Sequence, residues 1–290
     1  MTSSAGQQLF HKIGLRQGAY FNASIISVRE RKQWIQSRSQ HALRIYEKNN
    51  TIPDDALIVV TSQDCDISCS NDDIDKCIEL AIFKKIKKKK AYPGNQFVKS
   101  VRKLQIHLGA QWYEAKVEYI VEVEKGQLLE LLTDPNDIQN LPEVHNKSIP
   151  VWRANRYLRT ALPDEFNQKL YPVFDSHLPA LENATKREDD TSYIRALYLW
   201  LDTFDEVEQY TFEIFALLAE DTPDEILSEA QDVVEEMSES LTQNDYFESD
   251  DSIYADRDSS TYVSYLTRFV RINLDHESLA EGDDEVGPDL

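Results

Sequence analysis

The residues best equipped for chemistry stand where an apolar run ends, in Leu57–Cys69, "LIVVTSQDCDISC". Gln63, Asp64, Cys65 and Asp66 put an amide, two carboxylates and a thiol within four positions, and they form the candidate catalytic group. Counted from Asp64, oxygen-bearing side chains recur at Asp66, Ser68, Ser70, Asp72 and Asp75. That is the ligand spacing of an EF-hand calcium loop. Cys69 occupies the position such a loop gives to glycine, and Asp75 the position of its bidentate glutamate. Asp64, Asp66 and Asp75 are therefore the candidate ligands of a divalent metal, and no other cofactor is expected. Cys65, Cys69 and Cys77, with His107 downstream, are a second donor set, for zinc, at a spacing unlike paired C-x2-C knuckles. As a nucleophile Cys65 is flanked by two carboxylates, which disfavour the thiolate. His107, His145 or His177 would have to reverse that effect. The plainer reading turns Cys65 into the core and uses Asp64 and Asp66 to cap a turn.

Two further groups suit phosphate. "FKKIKKKKAYPGNQFVKSVRK" carries Lys84, Lys85, Lys87, Lys88, Lys89, Lys90, Lys99, Arg102 and Lys103, with Phe83, Tyr92 and Phe97 interleaved. Backbone charge plus aromatic stacking is how single-stranded nucleic acid is held. "WRANRYLRT" spaces Arg153, Arg156 and Arg159 by three, near one side of a helix, beside Trp152 and Tyr157. Guanidinium forks match phosphate or carboxylate. The plainer readings are a solvated loop between strands for the lysines and ion pairs to an acidic domain for the arginines.

Charge divides the chain. Residues 1–110 hold 18 Lys and Arg against 10 Asp and Glu, residues 111–187 hold 9 against 12, and residues 188–290 hold 4 against 30. The net charge of −21 hides a basic front and a strongly acidic back. A basic front meets nucleic acid, and an acidic back repels it and suits a protein partner with a basic surface. No apolar run reaches about 18 residues, so no membrane span is expected. The first residues lack the apolar core of a secretory signal. Three cysteines argue against a disulfide scaffold and for a reducing cytoplasm.

The elements that must position these groups read as follows. Gly18–Glu30 is a first strand, and the polar stretch to Asn50 is helix or loop. Ala56–Ser62 is a buried strand by its unbroken β-branched run, and Lys76–Ile86 is another. Period-two alternation on both sides of Gly109-Ala110 predicts a hairpin whose second arm exposes Glu114, Lys116, Glu118, Glu122 and Glu124. These short strands predict a mostly-β, barrel-like domain over 1–132. A linker and Arg-rich helical segment fills 133–187, with residues to Pro150 as linker and a helix from Pro163 that Pro172 interrupts or kinks. An acidic α+β domain spans 188–279, and residues 280–290 form an acidic, disordered tail. In that domain "YIRALYLWLD" and "YTFEIFALLAE" are strands. Thr222-Pro223-Asp224-Glu225 is a capping box, and "STYVSYLTRFVRINL" is a closing strand. The fold class is α+β, a small barrel followed by a helix on an antiparallel sheet.

The order "LRQGAYF … LIVVTSQDCDI … CIELAIF … WRANRYLRTALPDEFNQKL" resembles a group of uncharacterised bacterial proteins found near mobile elements and phage-defence genes. Of their Gly-Asp opening Gly18 matches, and Ala19 stands where they carry Asp. Asn155 and Thr160 replace an Arg and a Pro of their Arg-rich segment. In fold, the Gly-led first strand, the strand ending at Ser62 and "IELAIF" are similar to the SH3-like barrel of the MazF/PemK ribonuclease toxins. That similarity implies an RNA-binding face near Gly18, Ser62 and Arg29. The expectation is a cytoplasmic nucleic-acid- or nucleoprotein-directed factor of phage–host conflict, in defence or counter-defence, with a defence-system component as a further partner. The alternatives are an acidic DNA mimic that binds a basic partner, and a metal- or cysteine-dependent hydrolase at the SQDCD stretch.

Overall fold

The protein is described by a computed structural model over residues 3–36, 52–91, 102–155, 157, 162–188, 192–250 and 253–272. It is α+β, with two antiparallel-rich sheets in two compact units. The first unit runs past residue 132 to Arg153, and the helix that follows packs in the second core.

In the first unit the strands are β1 (Ala19–Asn22), β2 (Leu57–Val60), β3 (Cys77–Ile86), β4 (Lys103–Leu108), β5 (Gln111–Lys116), β6 (Ile120–Glu124) and β7 (Gln139–Asn140). Its helices are α1 (Ala5–Gln8), α2 (Val28–Gln36), α3 (Asp64–Ser68), α4 (Lys125–Leu131) and α5 (Glu143–Asn155). The sheet order is β4-β5-β3-β2-β1-β7, and β6 also pairs with β3. The long β3 makes this possible. Cys77–Ala81 pair with β6, Leu80–Phe83 with β2, and Lys84–Ile86 with β5. One strand shared among three partners curls the sheet into a half-barrel.

The unbroken apolar run of β2 follows from burial on both faces. Ile58, Val60, Ile78, Leu80 and Ile82 join Leu9, Phe21, Val121 and Val123 in the inner core. Val59, Ala81 and Phe83, on the other side, are fully buried too. Glu79 shares their side of β3, and Arg153 of α5 reaches it there.

Several expectations are corrected. The first strand stops at Asn22, and Val28–Gln36 is helical. The second hairpin arm breaks at a 3₁₀ turn, Val117–Tyr119, and its continuation leaves β4 to pair with β3. Glu114, Lys116 and Glu118 are therefore half-buried, while Glu122 and Glu124 stay exposed. The expected linker holds β7 and most of α5, which carries Pro150 on its exposed side.

The second unit contains α6 (Asp164–Ala184), β8 (Ile194–Leu201), β9 (Tyr210–Leu218), α7 (Asp224–Thr242), β10 (Phe247–Ser249), β11 (Ala255–Arg257), α8 (Val263–Leu266) and β12 (Val270–Arg271). The β8–β9 pair is antiparallel, as expected, but β10 and β11 both add to β9 in parallel. Helices α6 and α7 supply Phe166, Leu170, Phe174, Leu178, Ala230, Val234, Met237 and Leu241 to one core with β8 and β9. Pro172 does not end α6. The buried stripe at spacings of three and four holds the helix, and Pro172 and Pro179 both fall on its exposed side. The capping box is not formed, because Pro223 is the N-cap and the Thr222 hydroxyl donates to the Ala219 carbonyl at 2.6 Å. The closing strand shrinks to two residues behind the short α8. Among the described residues no helix is long and apolar enough to cross a membrane.

Candidate functional site

Just past β2 the Thr61 N–H still donates to the Glu79 carbonyl at 2.9 Å, and side chains then join the backbone pairing. The Ser62 hydroxyl accepts the Glu79 N–H at 2.8 Å. The buried Thr61 hydroxyl donates to Glu79 Oε1 at 2.7 Å. Glu79 Oε2 accepts from Arg153 Nη2 at 2.6 Å, with the two side chains 26% and 25% exposed. A carboxylate facing a buried strand surface needs a cation, and Arg153 provides it.

A turn at Arg16–Gly18 locks onto this strand end. Gly18 N–H donates to the Val60 carbonyl at 2.9 Å, and the Gln17 amide Nε2 to the Thr61 carbonyl at 3.1 Å. The Gln17 backbone N–H donates to Asp64 Oδ1 at 2.8 Å. Gly18 has a φ of 77°, and a Cβ there would lie 2.3 Å from Asn146 Oδ1 of α5, so only glycine fits. That Asn146 oxygen is buried without a hydrogen-bond partner among the described residues.

The SQDCD stretch opens α3, with Gln63, Asp64 and Cys65 exposed. Cys65 does not turn into the core; Ile67 does. The Cys65 thiol points at its neighbours, 3.4 Å from Asp66 Oδ1 and 3.6 Å from Gln63 Oε1. The Asp66 carbonyl accepts from the fully buried Lys125 at 2.6 Å, which ties α3 to α4.

The calcium-like spacing is used differently. Asp64 serves the Gln17 N–H, and Asp72 accepts the Ala5 and Gly6 N–H groups of α1 at 2.9 and 3.3 Å. Asp75 is half-buried beside the Asn71 turn. Among the described residues no three His, Cys, Asp or Glu side chains converge as a metal-ligand group.

The histidines are occupied elsewhere. His107 stacks on Trp112 at 4.7 Å. His145 Nε2 lies 2.9 Å from the His107 carbonyl oxygen and 3.3 Å from its amide nitrogen. Nδ1 of His145 is buried without a partner among the described residues, and burial pulls the pKa of the ring below the usual histidine value. His177 contacts Val173, Ser176 and Ser240 in the second unit. Burial, and then Glu122 and Glu124, push the Cys77 thiol up, away from the thiolate.

The cationic groups separate. Lys87, Lys88, Lys89 and Lys90 are all exposed past the end of β3, where Lys88–Lys90 form a 3₁₀ turn. Buried Gln105 holds that turn by donating to the Lys90 carbonyl at 3.2 Å, and also donates to Glu114 at 2.8 Å. Arg102 is half-buried beside β4. Phe83 and Trp152 are fully buried, so neither can stack on a base, whereas Tyr157 is exposed. Arg153 pairs with Glu79, within its own unit. Tyr92, Phe97, Lys99, Arg156 and Arg159 lie outside the described residues.

The structure thus joins two stretches that look unrelated in sequence, the SQDCD strand end and the Arg-rich segment, through Glu79. Glu79, Thr61, Gln17 and Asn146 were not among the sequence candidates. Glu79 had a signal, as the lone acid in the apolar "CIELAIF". Comparison with protein-family models, curated proteins and solved structures yields no match, so the functional reading rests on this geometry alone.

Proposed function

We propose that this chain is a nucleic-acid- or nucleoprotein-directed factor of phage–host conflict. Its first unit contacts phosphates, and its acidic second unit docks on or shields a basic surface. The observation that carries this reading is the lysine turn. Four consecutive like charges repel one another, yet Lys87–Lys90 are held in one turn by a buried glutamine, with every lysine exposed. Such a fixed cationic edge releases counterions when a polyanion binds. Lys85 extends the charge along β3, opposite half-buried Tyr113. The reading takes the curled half-barrel as the counterpart of an SH3/PemK-like barrel, in which a strand face meets RNA.

The test is binding of the full-length protein to short RNA and DNA across a salt series. Affinity at low salt that falls linearly on a log–log plot supports the reading, and no affinity at low salt for either polymer sinks it.

A second reading is favoured by α7, which exposes Asp224, Glu225, Glu229, Asp232, Glu235, Glu236 and Glu239. In it the helix imitates a row of phosphates and occupies a basic protein. Reversing four of these charges should abolish a salt-sensitive complex with such a partner, and indifference to the reversal contradicts mimicry.

A further inference from the structure

We propose that Arg153 is itself a phosphate-contacting residue, presented by Glu79 at the end of β2, and thus a second nucleic-acid contact separate from the lysine turn. This rests on the nucleic-acid reading above. A guanidinium carries five N–H donors, and the only side-chain hydrogen bond Arg153 makes among the described residues is the Nη2 bond to Glu79 Oε2. No Arg153 nitrogen is both buried and unpartnered, so the donors it does not use on Glu79 reach solvent. Two other arginines of the unit are spent internally. Arg31 is buried on the Ile52 carbonyl and Asp54, and Arg16 donates to the Phe10 and Leu15 carbonyls beneath its stack on Phe10.

The support behind Arg153 is rigid. Thr61 fixes the far oxygen of Glu79, the Ser62 hydroxyl fixes the Glu79 backbone, and the Arg16–Gly18 turn fixes Thr61. A fork held this way loses little side-chain entropy when it accepts a ligand. Its free edge matches the paired oxygens of a phosphodiester. Glu79 is a positioning residue here, because it aims the guanidinium and touches no ligand.

The experiment uses the full-length protein with a single-stranded RNA dodecamer and the DNA of the same sequence. Affinity is measured by fluorescence anisotropy over a salt series, with a thermal melt of each variant alongside. Arg153→Gln should weaken binding about tenfold at low salt. It should also make the log–log salt slope shallower by about 0.7, the share of one single-strand phosphate. Arg153→Lys should keep the slope and lose affinity only a few-fold, since lysine keeps the charge but not the fork. A folded Arg153→Gln with wild-type affinity and slope overturns the proposal. If that variant does not fold, wild-type affinity in Arg153→Lys overturns it instead. A wild-type chain that binds neither oligonucleotide removes the nucleic-acid reading as a whole, whereas binding that ignores Arg153 removes this residue alone.

Discussion

In each unit an arginine meets a carboxylate carried by the sheet, and the two pairs differ. In the first, Glu79 stays about a quarter exposed and is gripped by Thr61 and Arg153 at 2.7 and 2.6 Å. In the second, the Glu213 side chain is 5% exposed, and its contacts are longer, 3.3 Å from the Tyr265 hydroxyl and 3.2 Å from Arg268 Nη2. Arg268 lies over Trp200, and Tyr265 packs with Phe215 and Phe269, so the α8 segment closes the outer face of the second sheet. In the Glu213–Arg268 pair only the carboxylate is buried, because the Arg268 side chain over it is 51% exposed. In the Glu79 pair both side chains are about a quarter exposed, and Arg153 uses only Nη2 on the carboxylate. The two pairs differ in the depth of the carboxylate, 5% exposed at Glu213 against 26% at Glu79.

The comparison can be broken at several points. The largest effect is expected from Phe166→Ala on the inner face of the second sheet, where Phe166 meets Tyr210 and Phe247 edge-on at 5.3 Å. Truncating such a fully buried aromatic costs about 3–5 kcal/mol, and urea unfolding should show it. Arg268→Ala should cost about 2–3 kcal/mol, because it leaves a deeply buried carboxylate with less compensation. Arg153→Ala should cost less, about 1 kcal/mol, because water can reach Glu79. Equal losses at the two arginines would remove the distinction drawn between the groups.

His145 sharpens the account by pH. Its folded pKa lies below the ordinary histidine value of 6.5 because the ring is buried, so protonation is disfavoured in the native state. Near pH 7 and above, both folded and unfolded forms are neutral and the group exacts no penalty. Stability should fall as pH drops from about 6.5 through the lower folded value, since the unfolded chain takes up the proton first. His145→Gln should flatten that part of the stability–pH curve, and an unchanged curve contradicts the assignment. The smallest effect belongs to the acidic face of α7. Single Glu→Gln changes at Glu229, Glu235 or Glu239 should move stability by less than about 0.5 kcal/mol in a thermal melt, because these side chains are solvated.

Much of this was legible in the sequence where local pattern and burial agree. β2, β3, β8, β9 and α7 announce themselves by β-branched runs or by apolar spacing of three and four. Elements fixed by tertiary contact did not. Pro150 and the polar residues before it disguise α5, which is held by what it covers. Pro172 suggests a break that the buried stripe of α6 overrides. Thr222 has the right type for a cap, but its hydroxyl turns back to Ala219. The strand end at Ser62 was readable as a place where polar groups gather. Its real partnership was not, because Glu79 and Arg153 lie 74 positions apart and no local spacing encodes their meeting. The cysteine drew the eye, while Thr61 and Glu79 carry the geometry.

The central claim is that a fixed lysine turn makes the first unit a phosphate-contacting surface. Its most direct test compares the full-length protein with its Lys87→Gln/Lys88→Gln/Lys89→Gln/Lys90→Gln variant, titrating single-stranded RNA across a salt series. The account predicts binding at low salt by the native chain and a log–log slope shallower in the variant by as much as about 3, at about 0.7 per lost single-strand contact. Identical affinity and slope in the two proteins, or no binding by the native chain, would contradict it.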